Sequence, residues 1–242
     1  MRASIERTIR RTAAWALALA AAVICAGPAI AVDRPFLATN SAAAQEDDDK
    51  VWSVESWFAR VGNVHSTSIA PEYAFNPTTS IQFETTRARD RAASATEQEF
   101  ELEFKVLFNH IARDGYGWGI VPSLGLAKQS GAGWRYNSLG LTLPYTLELW
   151  ERDGALHLNV GAQKARDARR EFHYSAALER QVFKRTTLFG EIARQGDVTL
   201  LHGGVRHWLK KEKFAVDISA LHSRTPGSRE NGWVLGLAWY DL

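Results

Sequence analysis

The sequence predicts an all-β chain, a closed antiparallel up-and-down barrel of about twelve strands, with about ten as the alternative count. Three observations carry that expectation. From residue 51 onward, apolar and polar residues alternate with a period of two, because successive side chains of a strand point to opposite faces. The alternating segments run about ten residues each and are separated by turn residues. The one cysteine, Cys25, lies near the start, so the later chain has no disulfide framework and no thiolate metal site.

The alternation is clearest in residues 99–108. Phe100, Leu102, Phe104, Val106 and Phe108 share one parity, and Glu99, Glu101, Glu103 and Lys105 hold the other until Leu107 breaks the pattern. On a helix these carboxylates would spread around the whole circumference. As a strand they give one apolar face and one charged face.

Taken in order, the chain opens with a positive region (Arg2, Arg7, Arg10 and Arg11), an apolar run from Ala13 to Cys25 and a small-x-small site at Ala29-Ile30-Ala31. This is the pattern of a secretory signal peptide over residues 1–31. The run is short of the roughly 20 residues that a spanning helix needs. Its removal leaves 25 basic against 26 acidic residues and takes Cys25 away. Ile24 does not suit the small residue that precedes a lipid-anchored cysteine. Residues 32–50, ending in Glu46-Asp47-Asp48-Asp49-Lys50, read as a disordered acidic leader. No Lys/Arg cluster is interleaved with stacking aromatics, so the sequence excludes nucleic acid as a partner. No phosphate-cradling glycine loop or dinucleotide fingerprint appears, and no cofactor is expected.

Residues 51–242 form one barrel domain. Residues 51–60 are the first candidate strand, although Trp52, Trp57 and Phe58 would also suit a short amphipathic helix. Residues 66–75 lead to the turn Asn76-Pro77-Thr78, and residues 80–87 alternate Ile81, Phe83 and Thr85 with Gln82, Glu84 and Thr86. Beyond the Glu99 strand, residues 116–128 set Trp118, Ile120, Leu124 and Leu126 against Gly117, Gly119, Ser123 and Gly125. Residues 137–149 are the longest alternation, and Glu151-Arg152-Asp153-Gly154 is a hairpin turn to residues 155–165. Residues 171–183 and 186–194 pair across Lys184-Arg185. Residues 198–209 and 214–222 pair across Lys210-Lys211-Glu212-Lys213, and residues 231–240 close the chain. Compact turns follow Phe75, Phe108, Trp150, Phe183 and Leu209. Longer polar loops are expected near 61–66, 89–96, 129–135, 166–170 and 223–230, with the short turn at Gly196-Asp197 as a departure. Alternating short and long connections are the layout of membrane barrels, and an even strand number puts both termini on the periplasmic side.

Nearly every segment carries large apolar residues on one face, and Phe75, Trp118, Phe214 and Trp239 sit beside the short turns in the manner of an aromatic girdle. Trp150, Phe183 and Trp208 fall on the other parity. In this layout residues 51–242 resemble the Gram-negative outer-membrane β-barrel class, including porin-like transporters. The last strand, with Gly232, Trp233, Leu235, Leu237 and Trp239, fits that class except that Leu242 replaces the terminal aromatic. The resemblance implies an outer-membrane location after export. It also implies outer-membrane lipid, the barrel-assembly machinery and small polar solutes as partners.

The small-or-polar parity carries Glu72, Glu84, Glu99, Glu101, Glu103, Lys105, Glu148, Glu179, Glu191, Arg206 and Asp217, expected to line the lumen. Two readings follow: a filled barrel held by internal ion pairs, or a polar path for small solutes with a weak cation preference. The main expectation is passive passage or binding of small polar solutes through this charged lumen. A structural or adhesive barrel acting through extracellular loops is the alternative. A second alternative is an outer-membrane lipid hydrolase, since His173-Tyr174-Ser175 is similar to the His-x-Ser pair of outer-membrane phospholipase A and the lipid A deacylases. The Asn that often follows that Ser is Ala176 here, and Thr187 stands where an acid is expected. His202 and His207 share a strand at an odd separation, which puts them on opposite faces, so no metal site is predicted.

Overall fold

The computed structural model describes residues 35–42, 50–93, 95–129, 131–166 and 168–242. Twelve strands follow in chain order: β1 (Val51–Val61), β2 (Val64–Asn76), β3 (Thr79–Asp90), β4 (Ala95–Leu107), β5 (Tyr116–Gln129), β6 (Arg135–Leu149), β7 (Gly154–Ala165), β8 (Arg170–Phe183), β9 (Thr186–Gln195), β10 (Val198–Lys210), β11 (Phe214–Thr225) and β12 (Ser228–Trp239). A one-turn helix α1 (Ile111–Asp114) and a 3-10 turn (Trp150–Arg152) fill two connections. Each strand pairs antiparallel with its sequence neighbours, and β1 pairs with β12 from Val54↔Trp239 to Val61↔Gly232. The sheet therefore closes and leaves no edge strand. The closed twelve-strand barrel is the architecture that the alternation predicts. Trp52, Trp57 and Phe58 belong to a strand, not a helix, because β1 pairs on both sides.

An even strand number brings Lys50 and Leu242 to one end, called here the terminal end. The opposite end is the far end. The expected short and long connections are not what the structure shows. Far-end connections span only residues 62–63, 91–94, 130–134, 166–169, 196–197 and 226–227, whereas the longest connection, 108–115, lies at the terminal end. The polar stretches read as loops continue as paired strand, for example Asp90↔Ala95 and Thr225↔Ser228. A membrane-spanning strand needs only about 9–11 residues, so the surplus length extends the barrel as a polar rim.

Burial divides each strand by parity. On β7, His157 and Asn159 are 2% exposed while Val160 is 55% exposed. On β11, Asp217 is 4% exposed and Ile218 61%. The inside is polar and the outside is apolar around the ring, with Leu139, Leu158, Ile192, Leu201 and Leu235 all on the outer wall. A soluble sandwich has the reverse arrangement. An apolar band of this extent is unfavourable in water and fits hydrocarbon. Phe75, Trp118, Phe214 and Trp239 stand on the outer wall near the terminal end, where Phe108–Trp118 and Phe214–Trp239 ring pairs lie 4.5 and 5.7 Å apart. Of the off-parity aromatics, Trp208 points inward against Tyr240, and Trp150 lies under the Arg180 guanidinium. On the far half the outer parity ends in cations, among them Arg60, Arg87, Arg89, Lys164 and Arg170, all exposed.

The expected leader needs correction in one part. Residues 35–42 lie inside the barrel, with Phe36, Thr39, Ser41 and Ala42 buried. They are held there by hydrogen bonds to the wall, which a free acidic tail would not make. Residues 43–49, which include the acidic run Glu46-Asp47-Asp48-Asp49, and the signal-peptide expectation over residues 1–31 lie outside the described residues.

Candidate functional site in the lumen

The terminal half of the lumen is filled by paired polar groups. Arg206 on β10 and Asp217 on β11 are register partners, so their side chains leave the wall side by side. The guanidinium donates from Nε to Asp217 Oδ1 at 2.7 Å and from Nη2 to Oδ2 at 2.8 Å. Its Nη1 donates to Tyr240 Oη at 2.9 Å, and Glu55 lies 3.5 Å away and accepts from the tyrosine hydroxyl. This forked pairing offsets the desolvation that a guanidinium with 2% side-chain exposure would otherwise suffer. Across the lumen, Lys105 Nζ pairs with Glu72 Oε1 at 3.2 Å, and Ser80 Oγ donates to the same oxygen. Glu148 is bridged by Arg152 at 3.3 Å.

The middle of the lumen is crossed by residues 35–42, the inner strap. Glu191 on β9 accepts hydrogen bonds from the backbone N–H of Leu37 and of Ala38, both at 2.9 Å, and from Thr39 Oγ1 at 2.6 Å. His202 Nδ1 sits 3.2 Å from the same carboxylate, and its Nε2 reaches Ser219 Oγ at 2.8 Å. Farther along, Asn159 Nδ2 donates to Asn40 O at 2.9 Å, and Ala42 N–H donates to Thr146 Oγ1 at 2.8 Å. His157 joins Thr146 to Glu179 through its two ring nitrogens, at 3.0 and 3.3 Å. Phe36 packs among Ala177, Phe189 and the His157 ring. The inward face of β5 makes room for the strap. A Cβ on Gly117 would meet the carbonyl oxygen of Ala42 at 2.2 Å.

Beyond the strap, the far half opens into a cavity of about 520 Å³. Its floor is Leu37, Ala38 and Asn40 of the strap, and its wall includes Glu101, Glu103, Ser123, Thr142, His173 and Ser175. Glu97, Glu99, Glu101 and Glu103 share the inward parity of β4, and Glu84 of β3 is the direct register partner of Glu101. Asn137 Nδ2 donates to Glu99, and Thr86 Oγ1 donates to Glu84. Arg194 and Glu171 border the mouth. Like charges paired directly across strands repel, so this row of carboxylates favours a bound or passing cation.

All eleven polar residues singled out in the sequence stand on the inward parity. The structure brings them together as separate clusters: Arg206 with Asp217, Lys105 with Glu72, Glu191 with the strap, and Glu84, Glu99, Glu101 and Glu103 at the far end. His173 and Ser175 both line the far cavity, but they do not bond each other. His173 Nε2 is 3.0 Å from Thr142 Oγ1, and the buried Ser175 Oγ makes no hydrogen bond among the described residues. The groups that sequence reasoning missed are His157, Asn159, His202, Ser219, Tyr240 and the strap itself. The glycines on the polar parity of β5 were the one signal that something other than solvent occupies the inside. Among the described residues no cluster of metal-ligating side chains occurs.

No protein-family model matches this sequence, and neither does any curated protein. Solved structures do. The KdgM porin in complex with disordered oligogalacturonate superposes with a TM-score of 0.58 at 13% identity, covering 77% of this chain and 98% of that one. The NanC porin gives 0.55 at 8% identity, over 78% and 98% of the two chains. LpxR from Salmonella typhimurium gives 0.55 at 8%, over 77% and 99%. At these identities the likeness shows the fold alone, and it is shared by porins and by other kinds of barrel. The chain thus has the fold of the outer-membrane β-barrels, closed by twelve antiparallel strands.

Proposed function

We propose that this barrel sits in an outer membrane and admits small polar solutes, cations in preference to anions, into an acidic far-end vestibule. The inner strap forms the floor of that vestibule and limits passage. The observation that carries the reading is the inward carboxylate row Glu97, Glu99, Glu101 and Glu103 with Glu84 beside it, of which Glu101 and Glu103 line a cavity floored by the strap. The porin neighbours support passage as the general role. The oligogalacturonate bound by one of them is a polyanion, which this acidic wall would repel.

The adhesive alternative is less favoured, because far-end connections of two to five residues offer little loop surface. The hydrolase alternative draws on the LpxR likeness, but His173 engages Thr142 and leaves Ser175 without a base.

Planar-bilayer recording tests the proposal. Glu191→Ala removes the acceptor that holds Leu37, Ala38 and Thr39, so it should raise single-channel conductance severalfold over the unaltered chain. Under a salt gradient the reversal potential should report cation preference, and Glu101→Gln with Glu103→Gln should reduce it. Anion preference, or silence in both the unaltered chain and the Glu191 variant, would remove the passage reading.

A further inference from the structure

We propose that the outer wall across β9–β12, at the far end, is a docking site for the phosphate of an anionic lipid headgroup. The proposal rests on the membrane reading of the barrel but concerns the outward parity of the wall, with Arg194 shared between this cleft and the rim of the vestibule.

Three arginines converge there. Arg194↔Thr199, Thr199↔Arg224 and Arg224↔Arg229 are consecutive register partners on four adjacent strands. Neighbouring strands lie about 4.8 Å apart, so the three arginine backbones fall within roughly 15 Å of one another. They border a cavity of about 680 Å³, together with Asp197, Thr225 and Ser228. Arg194 Nε donates to Gly196 O. Among the described residues none of the three arginines makes an ion pair, although Asp197 lines the same cleft.

Arg224 and Arg229 face each other directly, an arrangement that costs stability unless an anion lies between them. Guanidinium groups bind phosphate oxygens as a planar fork, and Thr199, on the same outward parity, adds a hydroxyl donor. The lumen carboxylates cannot serve as counterions, because they occupy the other parity of their strands.

The level of the cleft selects a lipid over a free anion. One register step toward the terminal end, the same row reads Ile192↔Leu201, with both side chains exposed on the outer wall. A phosphate in the cleft would carry its acyl chains down over those residues. The cationic rim continues around the barrel through Arg60, Arg87 and Arg89, and on β9–β12 three arginines border one cleft.

The test uses the full chain in phosphatidylcholine nanodiscs doped with phosphatidic acid, with bound lipid counted by native mass spectrometry. Three proteins are compared: the unaltered chain, the triple variant Arg194→Gln, Arg224→Gln and Arg229→Gln, and a terminal-end control, Lys184→Gln, Arg185→Gln and Lys211→Gln. The triple variant should bind phosphatidic acid at least about tenfold more weakly, the factor for losing a single charge-assisted hydrogen bond, and the control should not. Equal loss in both variants, or none in the triple variant, overturns the site. So does full displacement by inorganic phosphate at equal concentration, which would show a free-anion site. Should the triple variant fail to fold, Arg224→Lys with Arg229→Lys keeps the charge and removes the fork. Weakened binding then supports the cleft, and unchanged binding overturns it. Failure of the unaltered chain to insert into the bilayer would count against the membrane reading instead.

Discussion

At the scale of single residues, Arg206 and Gly117 make the sharpest predictions. Arg206 is held by Asp217, Glu55 and Tyr240 with almost no access to water. Asp217→Ala leaves a buried guanidinium short of its forked partner and should cost about 3–5 kcal/mol. Urea unfolding in detergent, followed by tryptophan fluorescence, measures this, and a change near zero would mean that Glu55 alone suffices. Gly117→Ala works differently, because its new methyl group would collide with backbone, the carbonyl of Ala42. The expected result is a displaced strap inside an intact barrel, seen as a conductance rise with unchanged β-sheet circular dichroism. At the terminal rim, the hydrogen bond from the Arg113 guanidinium holds the Asp114 carboxyl down to about 2. The Arg113–Asp114 pair therefore keeps both of its charges across ordinary handling pH.

At the scale of elements, β4 shows what the sequence made legible. Its two faces could be assigned from parity alone, because a side-chain period of two has no room for ambiguity once one face is apolar. Whether a polar run ends a strand was less legible. Residues 89–96 and 223–230 look like loops by composition, yet their backbones stay paired because the barrel outgrows the apolar band. The strap escaped notice for a different reason. Phe36 to Ala42 carries no period of its own, and its partners Thr146, Asn159 and Glu191 lie far along the chain. The lumen clusters are equally non-local, so a list of inward residues could be read but their grouping could not. β4 also makes a prediction of its own. Reversing charge with Glu101→Lys sets a cation between Glu84 and Glu103, and should shift the reversal potential toward anions more than the neutral Gln variant does.

At the scale of the whole molecule, charge and greasiness are sorted by face and by end. Carboxylates line the inside, apolar residues ring the outside, aromatics flank the apolar band toward both ends and arginines gather toward the far end. A fully closed sheet has no other way to satisfy its backbone between acyl chains. This sorting predicts one seating of the barrel in an asymmetric membrane, with the arginine end toward the leaflet richer in phosphate. Accessibility labelling of cysteines introduced at Gly227 and Lys184 on intact cells would read it, only the first reacting. Labelling of Lys184 alone would invert the orientation.

The strap has a consequence for how the molecule is made. The wall groups Glu191, Thr146 and Asn159 that hold it lie 104 to 154 residues downstream, so they are not near it while the early chain is being organised. Closing contacts across such long separations is slow, and docking of this segment must await the curling of β6–β9. A newborn copy therefore passes through a hollow stage, and a compound present at that moment could be sealed beneath Phe36 when the segment finally settles.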